Sequence, residues 1–392
     1  MTEALQAIHA WLAEQKLAMI TLLEELVNID SGSYDKEGVD EVGSRLRRFL
    51  DGHGLRTRLL PKQHHGDVLR ADLNGGPEGP PIVLMGHRDT VFPKGEAARR
   101  PFRIKGKRAY GPGVCDMKGG LVQNAFVMAA FQHLGIGIAP LVLLATSDEE
   151  IGTPECREDI EAMTRGARAA LNAEPGRPSG NVVTGRRGGV FMRVRVTGKA
   201  AHSGGNYREG ISAIGDLAHK ITALHALSNP DEGYTLNVGL VSGGMSLNTI
   251  ASDAEASFDL RFTQETQRIE MMRKVEAIVA EAKVPGARAE LTILGEFCAM
   301  EPSPASAALF ETYRAAAAQV GLAVGGDYSM GCADSGFAAY VGCPTLCGTG
   351  PIGWEAHTAN EYLDLDSLVP RAQALALTIA RLGRSPLPEP VS

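Results

Sequence analysis

The chain has 392 residues, which at roughly 150 residues per domain predicts two or three domains. Lys and Arg number 39 against 46 Asp and Glu, a net charge of −7, which argues against a general nucleic-acid or polyanion binder. A hydrophobic share of 44% with 22% charged residues excludes a disordered chain.

From the N-terminus, Leu5, Ile8, Trp11 and Leu12, then Leu22, Leu23, Leu26 and Val27, recur at helical spacing. Charges at Glu3, Glu14, Lys16, Glu24 and Glu25 interrupt the segment, so neither a signal peptide nor a membrane span is expected. A second helical pattern (Val39, Val42, Leu46, Leu50) stops at Gly52 and Gly54. Residues 82–85 and 141–145 are continuous apolar runs, as in strands covered on both faces, and 119–134 between them has helical spacing. A weaker apolar stretch, 169–171, leads to Glu174. This alternation predicts a three-layer α/β domain with a mixed, mostly parallel sheet.

The pattern changes near Gly185-Arg186-Arg187-Gly188-Gly189. Period-two alternation over 192–196 and 254–262 fits a sheet with one open face. With strands at 234–241 and 289–294, a helix at 209–228 and another capped by Thr263, the block forms a β-α-β-β-α-β, ferredoxin-like unit. Helices at 305–321 and 366–383 resume the first character. The expected organisation is a discontinuous catalytic domain (1–186 and 297–392) with an inserted domain (187–296). Cys115, Cys156, Cys298, Cys332, Cys343 and Cys347 contain no C-x-x-C pair and fit reduced thiols in a cytoplasmic protein.

Chemistry-bearing residues follow the apolar runs. In Gly86-His87-Arg88-Asp89, His87 ends a strand, where α/β folds place their sites, and Asp89 could fix its imidazole; an ordinary turn is the alternative. Asp116, in Cys115-Asp116-Met117-Lys118-Gly119-Gly120, is either a helix N-cap or a carboxylate free to bridge two metals. The acids Asp148-Glu149-Glu150 repel one another unless a cation compensates. In extended chain, Glu149 and Glu150 would point opposite ways, one to a metal and one to a proton; a solvated acidic loop is the alternative. Glu174 and His357 complete a set of N and O donors suited to Zn²⁺, with Co²⁺ or Mn²⁺ as alternatives.

The ordered set H-x-D, D-M-K-G-G, D-E-E, A-E-P and a late His resembles the dinuclear zinc aminoacylase/carboxypeptidase family across the whole chain. HRDTVFPKG and PFRIKGKRAYGPG bring it nearest to the glutamate carboxypeptidases of the folate-hydrolysing type. The resemblance implies two zinc ions, with Asp116 bridging, His87 and Glu174 on one, and Glu150 and His357 on the other. It implies Glu149 as general base and acid, Asp89 as the partner of His87, and a cis peptide at Asp116–Met117. It also implies a homodimer through the inserted domain, which closes over the site, with His202 of that domain serving the partner's active site. Asn248 and Arg261 match positions that grip a substrate's terminal carboxylate, and Gly331 lies in a turn beside the site. Two positions depart from the family: Cys332 stands where a second Gly is usual, and Glu296 stands near a basic residue of the folate-hydrolysing branch. Arg186, Arg187 and Arg208 are candidate substitutes for that charge, or solvated hinge residues.

The expected substrate is a small molecule or short peptide ending in Glu or Asp, with no nucleic-acid or membrane partner. Deacylation or desuccinylation of a small metabolite is the alternative enzyme reading. A non-catalytic binding protein would lack a ligand or the base, and none of the six positions is lacking. A dehydrogenase is disfavoured because the one G-x-G-x-x-G match, Gly348 to Gly353, opens no βαβ unit.

Overall fold

The computed structural model describes residues 3–73, 76 and 78–383. The chain divides into two compact units, Met1–Arg186 with Met300–Ser392, and Arg187–Ala299.

The larger unit is built on a six-stranded sheet in the order Arg56–Leu60, Val68–Leu73, Leu141–Thr146, Ile82–His87, Ala169–Asn172, Thr345–Leu346. The first two pairings are antiparallel and the remaining three are parallel. Alternation sorts the central side chains: Ile82, Leu84, Leu141, Leu143 and Leu171 join one large core with helices Glu3–Glu14, Lys16–Val27, Lys36–Gly52, Gly119–His133 and Leu365–Leu382. Helices Arg157–Thr164 and Ser335–Tyr340 pack together on the other side, making three layers. Gly119–His133 is buried nearly all round, as a helix between sheet and outer helices must be. The N-terminal segment is two helices, broken at Gln15. The unit also holds the parallel pair Val182–Arg186 and Gly326–Ser329, and a small antiparallel sheet containing Arg103–Lys105, Arg108–Tyr110, Gly353–Trp354 and Tyr362–Asp364. The chain leaves and re-enters this unit at Arg186 and Met300, which exchange two backbone hydrogen bonds of 3.1 Å.

The smaller unit is a four-stranded antiparallel sheet in the order Thr235–Gly243, Asp253–Phe262, Gly188–Thr197, Arg288–Phe297, with helices Ala213–His225 and Glu265–Ala280. Val190, Met192, Val194, Val196, Phe258 and Leu260 fill its core, while intervening residues stay exposed or half-buried. The last strand runs on to Phe297 through a bulge near Gly295, so the expected bound at 296 falls inside the strand. The expected cap at Thr263 is also corrected. Gln264 caps Glu265–Ala280 in a reciprocal capping box with Gln267, whose amide oxygen accepts the N–H groups of Thr263 and Gln264 at 3.0 and 3.1 Å. The two helices are clamped by buried side chains. Asp216 accepts the N–H groups of Lys283 and Val284 at 2.6 and 3.0 Å, and its ion-pair partner Lys220 donates to the carbonyls of Ile278 and Glu281.

Candidate metal centre

Ile82–His87 lies between Leu141–Thr146 and Ala169–Asn172, and all three run parallel. Their C-terminal ends therefore emerge on one side: His87 closes its strand, Glu149 and Glu150 follow Thr146, and Glu174 follows Asn172. This is the edge at which open α/β sheets bind ligands.

Asp116 enters from the turn Val114–Lys118, which precedes the central helix. The helix begins at Gly119, so Asp116 does not cap it. Its peptide to Met117 is cis, as the family resemblance implies. Gly113 opens the turn at φ 71°, a conformation glycine adopts without steric cost. Gly120 has a different reason: a Cβ there would lie 2.0 Å from the carbonyl oxygen of Ala173, so only glycine lets the helix start rest against the segment that carries Glu174.

Glu149 and Glu150 sit in a tight turn, Glu149–Ile151, not in extended chain. Asp89 shapes that turn. Its carboxylate accepts the N–H of Glu149 at 3.2 Å and of Glu150 at 3.0 Å, together with the Ser33 hydroxyl at 2.7 Å. The Nδ1 of His87 lies 3.0 Å from the Asp89 carbonyl and 3.4 Å from its carboxylate, so Asp89 orients the imidazole and the turn together.

The two oxygens of Asp116 divide between two groups. Oδ1 lies 3.2 Å from His87 Nε2, which is 3.7 Å from Glu174 Oε1. Oδ2 lies 3.2 Å from His357 Nε2, which is 3.0 Å from Glu150 Oε2. Two ligands each about 2.0–2.1 Å from a tetrahedral ion stand roughly 3.3 Å apart. In the two triads, His87–Asp116–Glu174 and Asp116–Glu150–His357, the His–carboxylate distances of 3.0–3.7 Å bracket that value, and all ligand atoms of each triad lie within 4.8 Å of one another. Glu174 Oε1 is buried without a hydrogen-bond partner, as a waiting ligand atom would be. Glu149 contributes to neither triad, and its Oε2 is 3.9 Å from His87 Nε2.

The electrostatics fit a cation pair. Burial drives Glu149 well above the usual carboxylate range, with Glu174 and Glu150 adding to the shift and His87 opposing it. Burial and the Asp116 charge push Glu150 up to about 7 and raise Glu174. Hydrogen bonds to Asp116 and Glu150 raise His357 to about 10. Acids that press one another toward neutrality are what a divalent ion relieves.

Two contributors carry no motif signal. Glu361 is fully buried and accepts the N–H groups of Gly113, Cys115 and Asp116 at 3.0, 2.9 and 3.1 Å, pinning the Asp116 turn. Its only sequence cue is its position four residues after His357. Arg177 lines the same cavity as the carboxylates, with Arg186 and Gly331; the cavity measures about 430 Å³.

The other anticipated residues lie on the smaller unit. His202 is exposed, and its Nδ1 accepts the N–H groups of Gly204 and Gly205, which leaves the proton on Nε2. A β-bridge between His202 and Thr249 sets Asn248 beside it. Arg261 stands elsewhere on the sheet, bonded to Asp259 at 2.7 Å and stacked over Phe191. Glu296 pairs with Arg268 at 3.1 Å, so its charge is compensated within the unit.

Known proteins resemble this chain over most of its length. The profile of Peptidase family M20/M25/M40 matches residues 83–381. The chain is 26% identical over 380 residues to carboxypeptidase G2 from Pseudomonas sp. (strain RS-16), covering 94% of this chain and 90% of that protein. It is 30% identical over 350 residues to succinyl-diaminopimelate desuccinylase from Alkalilimnicola ehrlichii, covering 80% and 89%. Among solved structures, the M20 family metallo-carboxypeptidase Sso-CP2 from Sulfolobus solfataricus superposes with a TM-score of 0.76 at 18% identity, over 92% of this chain and 98% of that one.

Proposed function

The chain belongs to peptidase family M20/M25/M40, and from that premise we propose that it hydrolyses the amide bond that joins a C-terminal Glu or Asp to an N-acyl group or short peptide. The observation that carries this reading is the division of the Asp116 oxygens between two His–carboxylate groups, with Glu149 beside them and bound to neither.

His87, Asp116 and Glu174 would hold one cation, and Asp116, Glu150 and His357 the other, with Zn²⁺ preferred by the donor set and Co²⁺ or Mn²⁺ as alternatives. When bound, such a pair supplies Lewis acidity, which makes water a competent nucleophile near neutral pH and polarises a carbonyl. Glu149 takes the proton of the attacking water on its carboxylate and returns it to the leaving amine. Its buried, acid-crowded setting, which raises its basicity, suits both transfers. Asp89 keeps His87 and the Glu149–Glu150 turn in register. The Nε2–H of His202, supplied by the partner subunit of a homodimer, donates to the developing oxyanion. Arg261, with Asn248 arriving beside His202 from the partner subunit, grips the substrate's α-carboxylate, and Gly331 lines the cavity that holds the carboxylates.

The dimer would form through the smaller unit. Among the described residues its Thr235–Gly243 strand is paired on one side only, and Leu240, Val241, Met245 and Leu247 are exposed on or beside it. The six free cysteines support a cytoplasmic setting. No helix among the described residues is long and apolar enough to cross a membrane. Release of an acyl group from a small metabolite is the second reading, favoured by the similarity to a desuccinylase and by Glu296.

The test is hydrolysis of N-acyl-Glu, N-acyl-Asp and their neutral amide analogues by metal-loaded protein, beside Glu149→Gln. The expected result is cleavage of the acidic pair, reduced by about 10²–10⁴-fold in Glu149→Gln with the metal content unchanged. Full activity in that variant overturns the assignment of Glu149. Faster cleavage of the neutral analogues overturns the substrate class.

A further inference from the structure

Arg177 and Arg186 both line the cavity that holds Asp116, Glu149, Glu150, Glu174 and His357. Neither guanidinium has a carboxylate within hydrogen-bond reach among the described residues. Arg177 Nη2 donates to the Ser329 hydroxyl at 2.8 Å. Arg186 donates to Cys347 Sγ at 3.2 Å and to the carbonyls of Gly331 and Cys332 at 3.3 and 3.1 Å. Every one of these acceptors is neutral. Arg186 is 6% exposed, and two guanidinium ions sharing a cavity wall repel each other; burial and the Arg186 charge together lower the Arg177 pKa.

Buried charge without a counter-ion is costly, and two like charges more so. Glu174 is the acid that acts on both through the field, but its free oxygen points into the first ligand triad, where a cation would claim its charge. With the centre loaded, the carboxylates still acting on them are Asp327 on Arg177 and Glu149 on Arg186, neither within hydrogen-bond reach of its guanidinium, so both forks in this cavity of about 430 Å³ lack a paired carboxylate. The planar fork of a guanidinium matches one ligand chemistry above others: a carboxylate, taken bidentately.

We propose that Arg177 and Arg186 form a carboxylate subsite for the acidic side chain of the substrate, distinct from the grip on its α-carboxylate assigned to Arg261 and Asn248. This rests on the hydrolase reading above and deepens it to a dicarboxylic leaving amino acid. It also accounts for Glu296 on the smaller unit: the charge that reads the side chain is supplied by the larger unit. Ser329, held by both Arg177 and the Gly331 N–H, fixes the Arg177 head group in the wall.

The experiment compares kcat/KM on N-acyl-Glu and N-acyl-Gln, and on N-acyl-Asp and N-acyl-Asn, for the metal-loaded wild type, Arg177→Ala and Arg177→Lys. A bond from a charged group is worth ~10- to 10²-fold, so the acidic-over-neutral ratio is expected to fall by that factor in Arg177→Ala, mostly through KM. Arg177→Lys, which keeps the charge and loses the fork, should fall between. Equal losses on acidic and neutral substrates would mean that Arg177 is structural, and would overturn the subsite. Calorimetric binding of glutarate against butyrate to the metal-loaded protein separates the subsite from the reaction. If wild type favours glutarate and Arg177→Ala does not, the subsite stands even where no amide is cleaved, and only the hydrolase reading fails. A glutarate preference that survives Arg177→Ala overturns the subsite whatever the activity.

Discussion

Glu361 accepts three backbone N–H groups from the turn that presents Asp116, although 245 residues separate Glu361 from Asp116. Burial and the Asp116 charge lift its pKa to about 7 against the pull of those three donors. Truncation in Glu361→Ala would strand the donors in the interior, at about 1–3 kcal/mol for each one left without a partner. The expected outcome is a lower Tm and metal affinity weakened by about 10–100-fold, read by competition with a chromophoric chelator. Unchanged metal affinity would reduce Glu361 to packing. The convergence of His87, Asp116, Glu150, Glu174 and His357 was legible in the sequence because most of them close or follow an apolar run, and three of those runs are neighbouring parallel strands. Glu361, Arg177 and Ser329 were not legible, because their partners are chosen by the tertiary approach of remote segments. The backbone of Glu149 and Glu150 was misread as extended for a related reason: Asp89, from another strand end, folds that segment into a turn, although the two side chains still part, Glu150 to a triad and Glu149 to none.

Strand periodicity transferred well to the structure because each alternation marks a real two-sided environment, as in Asp253–Phe262, where buried and half-buried positions alternate throughout. Helix ends transferred less well. Gln264 replaces Thr263 as cap because the Gln267 amide can reach two N–H groups at once, a choice that composition does not announce. The clamp between the helices of the smaller unit was equally invisible, and it carries a pH signature. Burial alone would raise the Asp216 pKa, but the Val284 N–H, Lys220 and the Lys283 N–H hold it below the ordinary 3.8. A depressed native pKa means that the native state binds fewer protons than the unfolded chain near that pH. The stabilisation is therefore complete above the unfolded value and is lost as the pH falls through the native one. The gap in urea midpoint between metal-free wild type and Asp216→Asn is expected to narrow as the pH drops from about 5 to about 3. A constant gap would mean that Asp216 contributes through shape alone.

At the scale of the whole molecule, the residues proposed to hold cations come from parts of the larger unit that are far apart in sequence, so bound cations should stabilise the fold as well as the reaction. A ligand that binds only the native state contributes about 4 kcal/mol at a thousand times its Kd. Chelation is expected to lower the Tm of the larger unit and leave that of the smaller unit in place, giving two resolved transitions in calorimetry; added Zn²⁺ should merge or reorder them. A Tm indifferent to chelation would detach the cluster from metal binding. The hydrogen-bonded neck at Arg186 and Met300 bears on synthesis. The smaller unit is one continuous stretch of chain and can fold as soon as it leaves the ribosome. The larger unit cannot finish its sheet until Thr345–Leu346 arrives, nor its helical layer until Leu365–Leu382 does. The half-built sheet therefore waits, its Ala169–Asn172 edge open, while an entire inserted unit is translated, which makes that interval the period when the nascent chain most needs a chaperone.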